Sequence, residues 1–166
     1  EQILIERAKD HLLGESTVRG HTVKLLFESR IEQNQILAND PMIKILTTEL
    51  NETPENEFDK MRESKRRDFL TQIQAFQTLV GFSIGLEDVK IIGINGKVYF
   101  SLGKLIDNNF IHDPLFQKGL EKSIIDFEPA SNGKKMIVVS PIFAQDSKLN
   151  DDPIGVVISR MRTESL

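Results

Sequence analysis

The chain has 166 residues, of which 39% are hydrophobic and 28% charged, and its formal net charge is −4. That length suits one domain with a proper core, and the composition excludes a disordered tail. The mildly acidic balance argues against a nucleic-acid partner, and the absence of cysteine excludes disulfides, thiolate metal sites and cysteine nucleophiles. No apolar run approaches the roughly 20 residues that cross a bilayer. The sequence opens Glu1-Gln2-Ile3 without a starting Met, which reads as a piece of a longer protein.

From Gln2 to about Asn39 apolar residues recur at helical spacing: Leu4, Ala8, Leu12, Val18, Leu25, Leu26, Ile31, Ile36 and Leu37. Gly14 and Gly20 weaken this stretch by about 1 kcal/mol each relative to Ala and mark a place for a kink or break. Asn39-Asp40-Pro41 is a stop followed by a restart, with Asp40 as N-cap and Pro41 in the first turn of a helix from Met42 to Leu50. After a polar loop, Asn51 to Asn56, a third helix is predicted from Glu57 to Leu79. Its buried side is Phe58, Met61, Phe69, Ile73, Phe76 and Val80, and Gly81 and Gly85 end it. The basic cluster Arg62 and Lys65-Arg66-Arg67 lies among Glu57, Asp59, Glu63 and Asp68 and reads as the solvated face of that helix.

After Gly85 the period changes from helix to strand. Asp88 to Ile94 is rich in β-branched residues, Asn95-Gly96 follows, and Lys97 to Ser101 alternates again, so a hairpin is expected. Gly103 to Asn109 reads as a loop, and Asp113-Pro114 starts a short helix to about Lys122. A weaker strand covers Ser123 to Phe127 and turns through Ser131-Asn132-Gly133. Stronger ones cover Lys135 to Phe143 and Pro153 to Met161. Helices followed by strands indicate an α+β fold with an antiparallel sheet. The helical region is 1–83 and the sheet region 84–166, together one domain.

Catalytic apparatus is not visible. His11 and His21 stand about 15 Å apart along an unbroken helix and cannot share a metal ion, and His112 stands in a loop beside Asp113. No HExxH, P-loop or CxxC pattern is present. Gly81-Phe82-Ser83-Ile84-Gly85 has the spacing of a nucleophile elbow in the wrong context, since a helix precedes it and a strand follows. Asp146, Asn150, Asp151 and Asp152 fit no EF-hand spacing. No enzyme activity, metal or cofactor is expected.

The faces of one strand carry more information. From Met136 to Phe143 both alternating sets are apolar, Met136, Val138, Ser140 and Ile142 on one side and Ile137, Val139, Pro141 and Phe143 on the other. The strand is therefore covered twice. Helices of the first half cover one face, and the segment from Gly103 to Lys122 roofs the other with Phe110, His112 and Phe116. Such a roofed face is either a small-ligand pocket or a second small core, and the residues support both equally.

The hairpin Ile91 to Ser101, the helix start Asp113-Pro114-Leu115-Phe116, and Ser140-Pro141-Ile142-Phe143 followed by Pro153-Ile154-Gly155-Val156-Val157-Ile158 together resemble the Cache domains. Asn39-Asp40-Pro41-Met42-Ile43 is similar to the break after their long first helix. These are PAS-like extracytoplasmic sensors of histidine kinases, chemoreceptors and diguanylate cyclases. The resemblance implies a long N-terminal helix and further helices packed on a PAS-like antiparallel sheet, and transmembrane segments flanking the domain in the full-length protein. It also implies relay of a conformational change across the membrane and a possible homodimer through the N-terminal helix. The pocket it points to is lined by Tyr99, Ser101, Phe110, His112, Phe116, Ile137 and Val139. The positions aligned with the family's carboxylate-gripping residues, Val98, Ser101, Ile137 and Val139, hold no Arg or Lys, so the expected ligand is neutral or largely apolar. The competing reading is a cytoplasmic PAS- or GAF-like interaction module with no ligand.

Overall fold

The computed structural model describes residues 17–130, 133–145 and 152–163. Helix α1 spans Thr17–Ala38 and runs unbroken through Gly20; its predicted start, with Gly14 and His11, lies outside the described residues. Helix α2 spans Pro41–Asn51, and Asp40 caps it by accepting from Met42 N (2.8 Å) and Ile43 N (3.1 Å). Pro41 occupies the first turn, where its missing N–H costs nothing. A short 3-10 turn, Glu55–Glu57, leads into α3, Phe58–Phe76, which ends in a π-helical turn, Gln77–Gly81. Gly85 then takes φ +70 at the entry to the sheet.

Five strands follow: β1 (Leu86–Gly93), β2 (Val98–Ser101), β3 (Ile124–Ala130), β4 (Gly133–Phe143) and β5 (Pro153–Arg162), with helix α4 (Pro114–Glu121) between β2 and β3. All pairings are antiparallel and the order is β2-β1-β5-β4-β3. The last strand therefore sits in the middle of the sheet. Of the loop residues weighed as calcium ligands and set aside, Asp146, Asn150 and Asp151 lie outside the described residues.

The expected β1–β2 hairpin forms at Asn95-Gly96, and its loop has three residues. Gly96 N donates to Gly93 O at 2.9 Å and Gly96 takes φ +83, so the loop is Ile94-Asn95-Gly96. A three-residue loop of this kind closes with one left-handed glycine. The ladder then slips: Ile91 pairs with Phe100 but Ile92 with Val98, leaving Tyr99 as a bulge. Alternation fails at that point, as a bulge requires. Tyr99 and Phe100, adjacent in sequence, both join the core beneath the helices.

That core, between the helices and one sheet face, is built on Phe27, Leu37, Ile43, Leu46, Leu50, Phe69 and Ile73 from the helices. Val89, Ile91, Phe100, Val138 and Val157 meet them from the strands. Within it lies a closed polar cluster. Asn34 Nδ2 donates to Ser140 Oγ (3.0 Å), its Oδ1 accepts from Ser159 Oγ (2.5 Å), and Ser123 Oγ bonds Ser140 Oγ (2.9 Å). Asn34, Ser140 and Ser159 are buried, and satisfied buried polar groups of this kind fix the register of packed elements.

Arg62 and Arg66 are not simply solvated. Arg62 Nη1 donates to Val98 O (3.1 Å) and Arg66 Nη1 to Ser101 O (3.3 Å), and their guanidinium groups lie over the rings of Phe58 and Phe100 at 5.2 and 5.3 Å. They occupy carbonyls on the open side of edge strand β2, which removes a site for unwanted strand pairing.

Candidate functional site: a cleft on the roof face

The second sheet face is covered less completely. Phe116 of α4 is fully buried and packs with Ile92, Val98, Ile124, Ile137, Val139 and Val156 into a small second core. Gly119 is the point of closest approach, where a Cβ would run into the Val139 side chain. Asp113 caps α4 by accepting from Leu115 N (2.9 Å) and Phe116 N (3.3 Å). The predicted roof therefore exists, and it covers the upper rows of the face.

Below it the rows change character. Lys90 of β1 faces Ser101 of β2 and Ile158 of β5, and one row further down Asp88 faces Arg160, which faces Ile137 of β4. Only the start of α4, at Leu115, reaches these rows among the described residues. They floor a cleft of about 240 Å³ whose walls are Ile106, Phe110, Asp113, Leu115 and Glu128, with Lys90, Ile137, Ile158 and Arg160 beneath. That space equals roughly eight waters and is below the usual range for drug-sized ligands. Apolar walls with a few converging charges are the composition expected of a small-molecule site.

The charges are arranged in pairs. Lys90 Nζ is ion-paired with Asp88 Oδ2, and both side chains are largely buried. Arg160 Nε lies 2.6 Å from Glu128 Oε1, yet its N–H is not directed at that oxygen. It is the buried side-chain donor left without a hydrogen bond among the described residues. The short distance gives Coulomb attraction, but hydrogen bonding weakens steeply with misalignment, so a donor remains to be satisfied.

Of the seven residues expected at a pocket, Phe110 and Ile137 line the cleft. Phe116 and Val139 lie beside it in the second core. Ser101, on the same row as Lys90, is buried and turned toward Lys104 O at 3.4 Å. His112 is exposed. Tyr99 is on the other face, because the bulge turns it toward α2 and α3. Its hydroxyl donates to Asn51 Oδ1 at 2.5 Å and its ring sits 5.5 Å from that of Phe58. Burial pushes the Tyr99 phenol up to about 12, against a smaller opposing effect of its hydrogen bond with Asn95.

Lys90, Asp113, Glu128 and Arg160 were missed. Positions 90 and 160 share the face of Ile92 and Val156 by simple alternation, but only the β1–β5 pairing sets them side by side. Among the described residues no cluster of His, Asp or Glu could hold a metal ion, and no helix is long and apolar enough to cross a membrane.

No family model matches the sequence, and no curated protein sequence is significantly similar to it. Solved structures do match in shape. The sensor domain of the histidine kinase DctB of V. cholerae superposes with a TM-score of 0.56 at 13% identity, over 99% of this chain and 55% of that one. The sensory domain of the Campylobacter jejuni chemoreceptor Tlp3 (CcmL), solved with isoleucine bound, gives 0.55 at 15% identity, over 99% of this chain and 61% of that one. The chain thus spans less than two thirds of either solved sensor-domain chain. With helices on one face of a β2-β1-β5-β4-β3 sheet and a roof on the other, it shares the fold of these two sensor domains.

Proposed function

We propose that the chain is a non-catalytic, extracytoplasmic sensing domain of a transmembrane receptor, and that a small molecule without net charge occupies the roof-face cleft. The observation that carries the ligand reading is the buried Arg160 Nε, a donor with no aligned acceptor in the floor of an apolar-sided cleft. Burying a donor unpaired is costly, and an oxygen of an occupant would remove that cost. Lys90 is already paired with Asp88 and Arg160 lies against Glu128, so an uncharged ligand with an apolar part does not have to displace a charge partner to enter. The cations reach the site from positions 90 and 160, outside the four positions that first argued for an apolar ligand. An occupant touching both floor and roof favours one arrangement of β5 over another, and the Asn34 cluster ties α1 to that strand. Sensing in this reading is a population shift in the α1–β5 packing, within a homodimer formed through α1.

A thermal-shift screen with amino acids, amines, carboxylates and uncharged metabolites tests the reading. A ligand at 100 times its Kd stabilises by about 2.7 kcal/mol. The expected hit disappears in Arg160→Gln and Phe110→Ala and survives in Tyr99→Phe, which lies on the opposite face. If no class stabilises the parent protein, the ligand reading fails. The receptor reading fails separately if the full-length sequence has no membrane-spanning segments flanking the domain.

A further inference from the structure

Among the described residues the roof face carries one buried carboxylate, Asp88, which is 8% exposed. It stands on β1 two residues before Lys90 and directly opposite Arg160 across the β1–β5 ladder. Its two oxygens hold different things. Oδ2 is ion-paired with the Lys90 ammonium, and Oδ1 accepts from the Gly103 backbone N at 3.0 Å. Lys90 belongs to the floor of the cleft. Gly103 begins the loop that carries Ile106 into the cleft wall and ends at Asn109, which pairs with Lys97.

A lysine ammonium sits on a flexible four-carbon stem and takes whatever direction its partners impose. A loop without regular structure is held only where its backbone is bonded. Asp88 supplies both constraints from one side chain. A carboxylate this buried also needs both bonds, since burying it unpaired is costly.

We propose that Asp88 is the positioning residue of the cleft, fixing the Lys90 ammonium in the floor and the root of the 103–109 loop in the wall. The proposal rests on reading the cleft as a ligand site. An acceptor group drawn to Lys90 competes with Asp88 Oδ2 and leaves Oδ1 to hold Gly103, so the floor can engage an occupant while the root of the loop stays fixed.

The test needs no ligand. Asp88→Asn keeps an acceptor for Gly103 N but loses the charge that holds Lys90, whereas Asp88→Ala loses both. Two readouts follow them: amide exchange at Gly103 and the slowly exchanging ammonium signal of Lys90, both by NMR. Gly103 is expected to exchange about tenfold faster or more in Asp88→Ala, and to stay within about threefold of the parent in Asp88→Asn. The Lys90 ammonium signal is expected to vanish in both. Because the chain has no tryptophan, Ile106→Trp adds a fluorescence reporter of the loop, whose emission should shift to the red with Asp88→Ala alone. Unchanged Gly103 exchange in Asp88→Ala overturns the proposal, and so does equal loss of Gly103 protection in the two variants. If Asp88→Ala does not fold, Asp88→Asn decides: loss of the Lys90 signal with Gly103 still protected supports the proposal, and retention of that signal overturns it. A failed ligand screen with these readouts as expected would sink the ligand reading and leave the role of Asp88 standing.

Discussion

The two faces of the sheet solve the problem of polar groups in opposite ways. On the helix face, Asn34, Ser123, Ser140 and Ser159 are enclosed among large apolar side chains, and each has a partner at hydrogen-bond distance. On the roof face, Asp88, Lys90, Glu128 and Arg160 converge beside a cleft, and one buried donor is left over. A polar cluster that satisfies itself specifies packing. One that leaves a donor open beside accessible space has capacity for a ligand. The helix face also holds most of the apolar core, whereas the roof face is closed by one eight-residue helix and a loop. The contrast places stability on one side of the sheet and responsiveness on the other.

The largest test of that contrast compares two fully buried phenylalanines. Phe69 of α3 stacks on Phe100 with ring centroids 5.6 Å apart in the main core, and Phe116 of α4 fills the second core. Phe69→Ala should cost about 3–5 kcal/mol by denaturant unfolding, because neighbours on every side keep the cavity open. Phe116→Ala should cost less, about 2–3 kcal/mol, because α4 can settle toward the sheet and the cost depends on how far a site collapses. Its amide exchange should rise in α4 while that of α3 is unchanged. Equal costs with global loosening in both variants would break the comparison.

How much of this could be read in advance follows the same division. The caps Asp40-Pro41 and Asp113-Pro114 are local, and both helices start where the sequence places them. The double apolar face of β4 is likewise a property of one segment, and it announced two covers. The bulge at Tyr99 was invisible because it exists only relative to the register of β1. That single residue moved a predicted pocket side chain to the other face. Lys90 and Arg160 looked like ordinary charges on separate strands until pairing across 70 residues brought them to one cleft. Arg62 and Arg66 looked solvated because nothing local reveals that an edge strand runs beneath them.

The next test uses the misplaced tyrosine. Tyr99 is the only tyrosine in the chain, so phenolate absorbance reports it alone. Its titration in the folded protein should centre near pH 12 instead of 10.0. Between those values the unfolded chain loses the proton while the folded one keeps it. The folded state then binds more protons, so stability falls as pH rises. The contribution is complete below pH 10 and is lost as pH passes about 12. Tyr99→Phe should remove this part of the alkaline decline in Tm, and an ordinary midpoint near 10 would show that the ring is not closed off beneath the helices.

The smallest effect belongs to the roof. Asp113 both caps α4 and faces the cleft, with Oδ1 engaged by Leu115 N and Phe116 N. Asp113→Ala removes the cap and should cost about 1 kcal/mol. That loss should appear chiefly as faster exchange of the first-turn amides of α4, with little change in the helices of the other face. Asp113→Asn retains a capping oxygen and should restore the exchange rates, since Asn and Asp cap about equally well. If instead Asp113→Ala loosened α1 or α3 as much as α4, the roof would be part of the main cooperative unit, and the division of labour between the two faces would have to be abandoned.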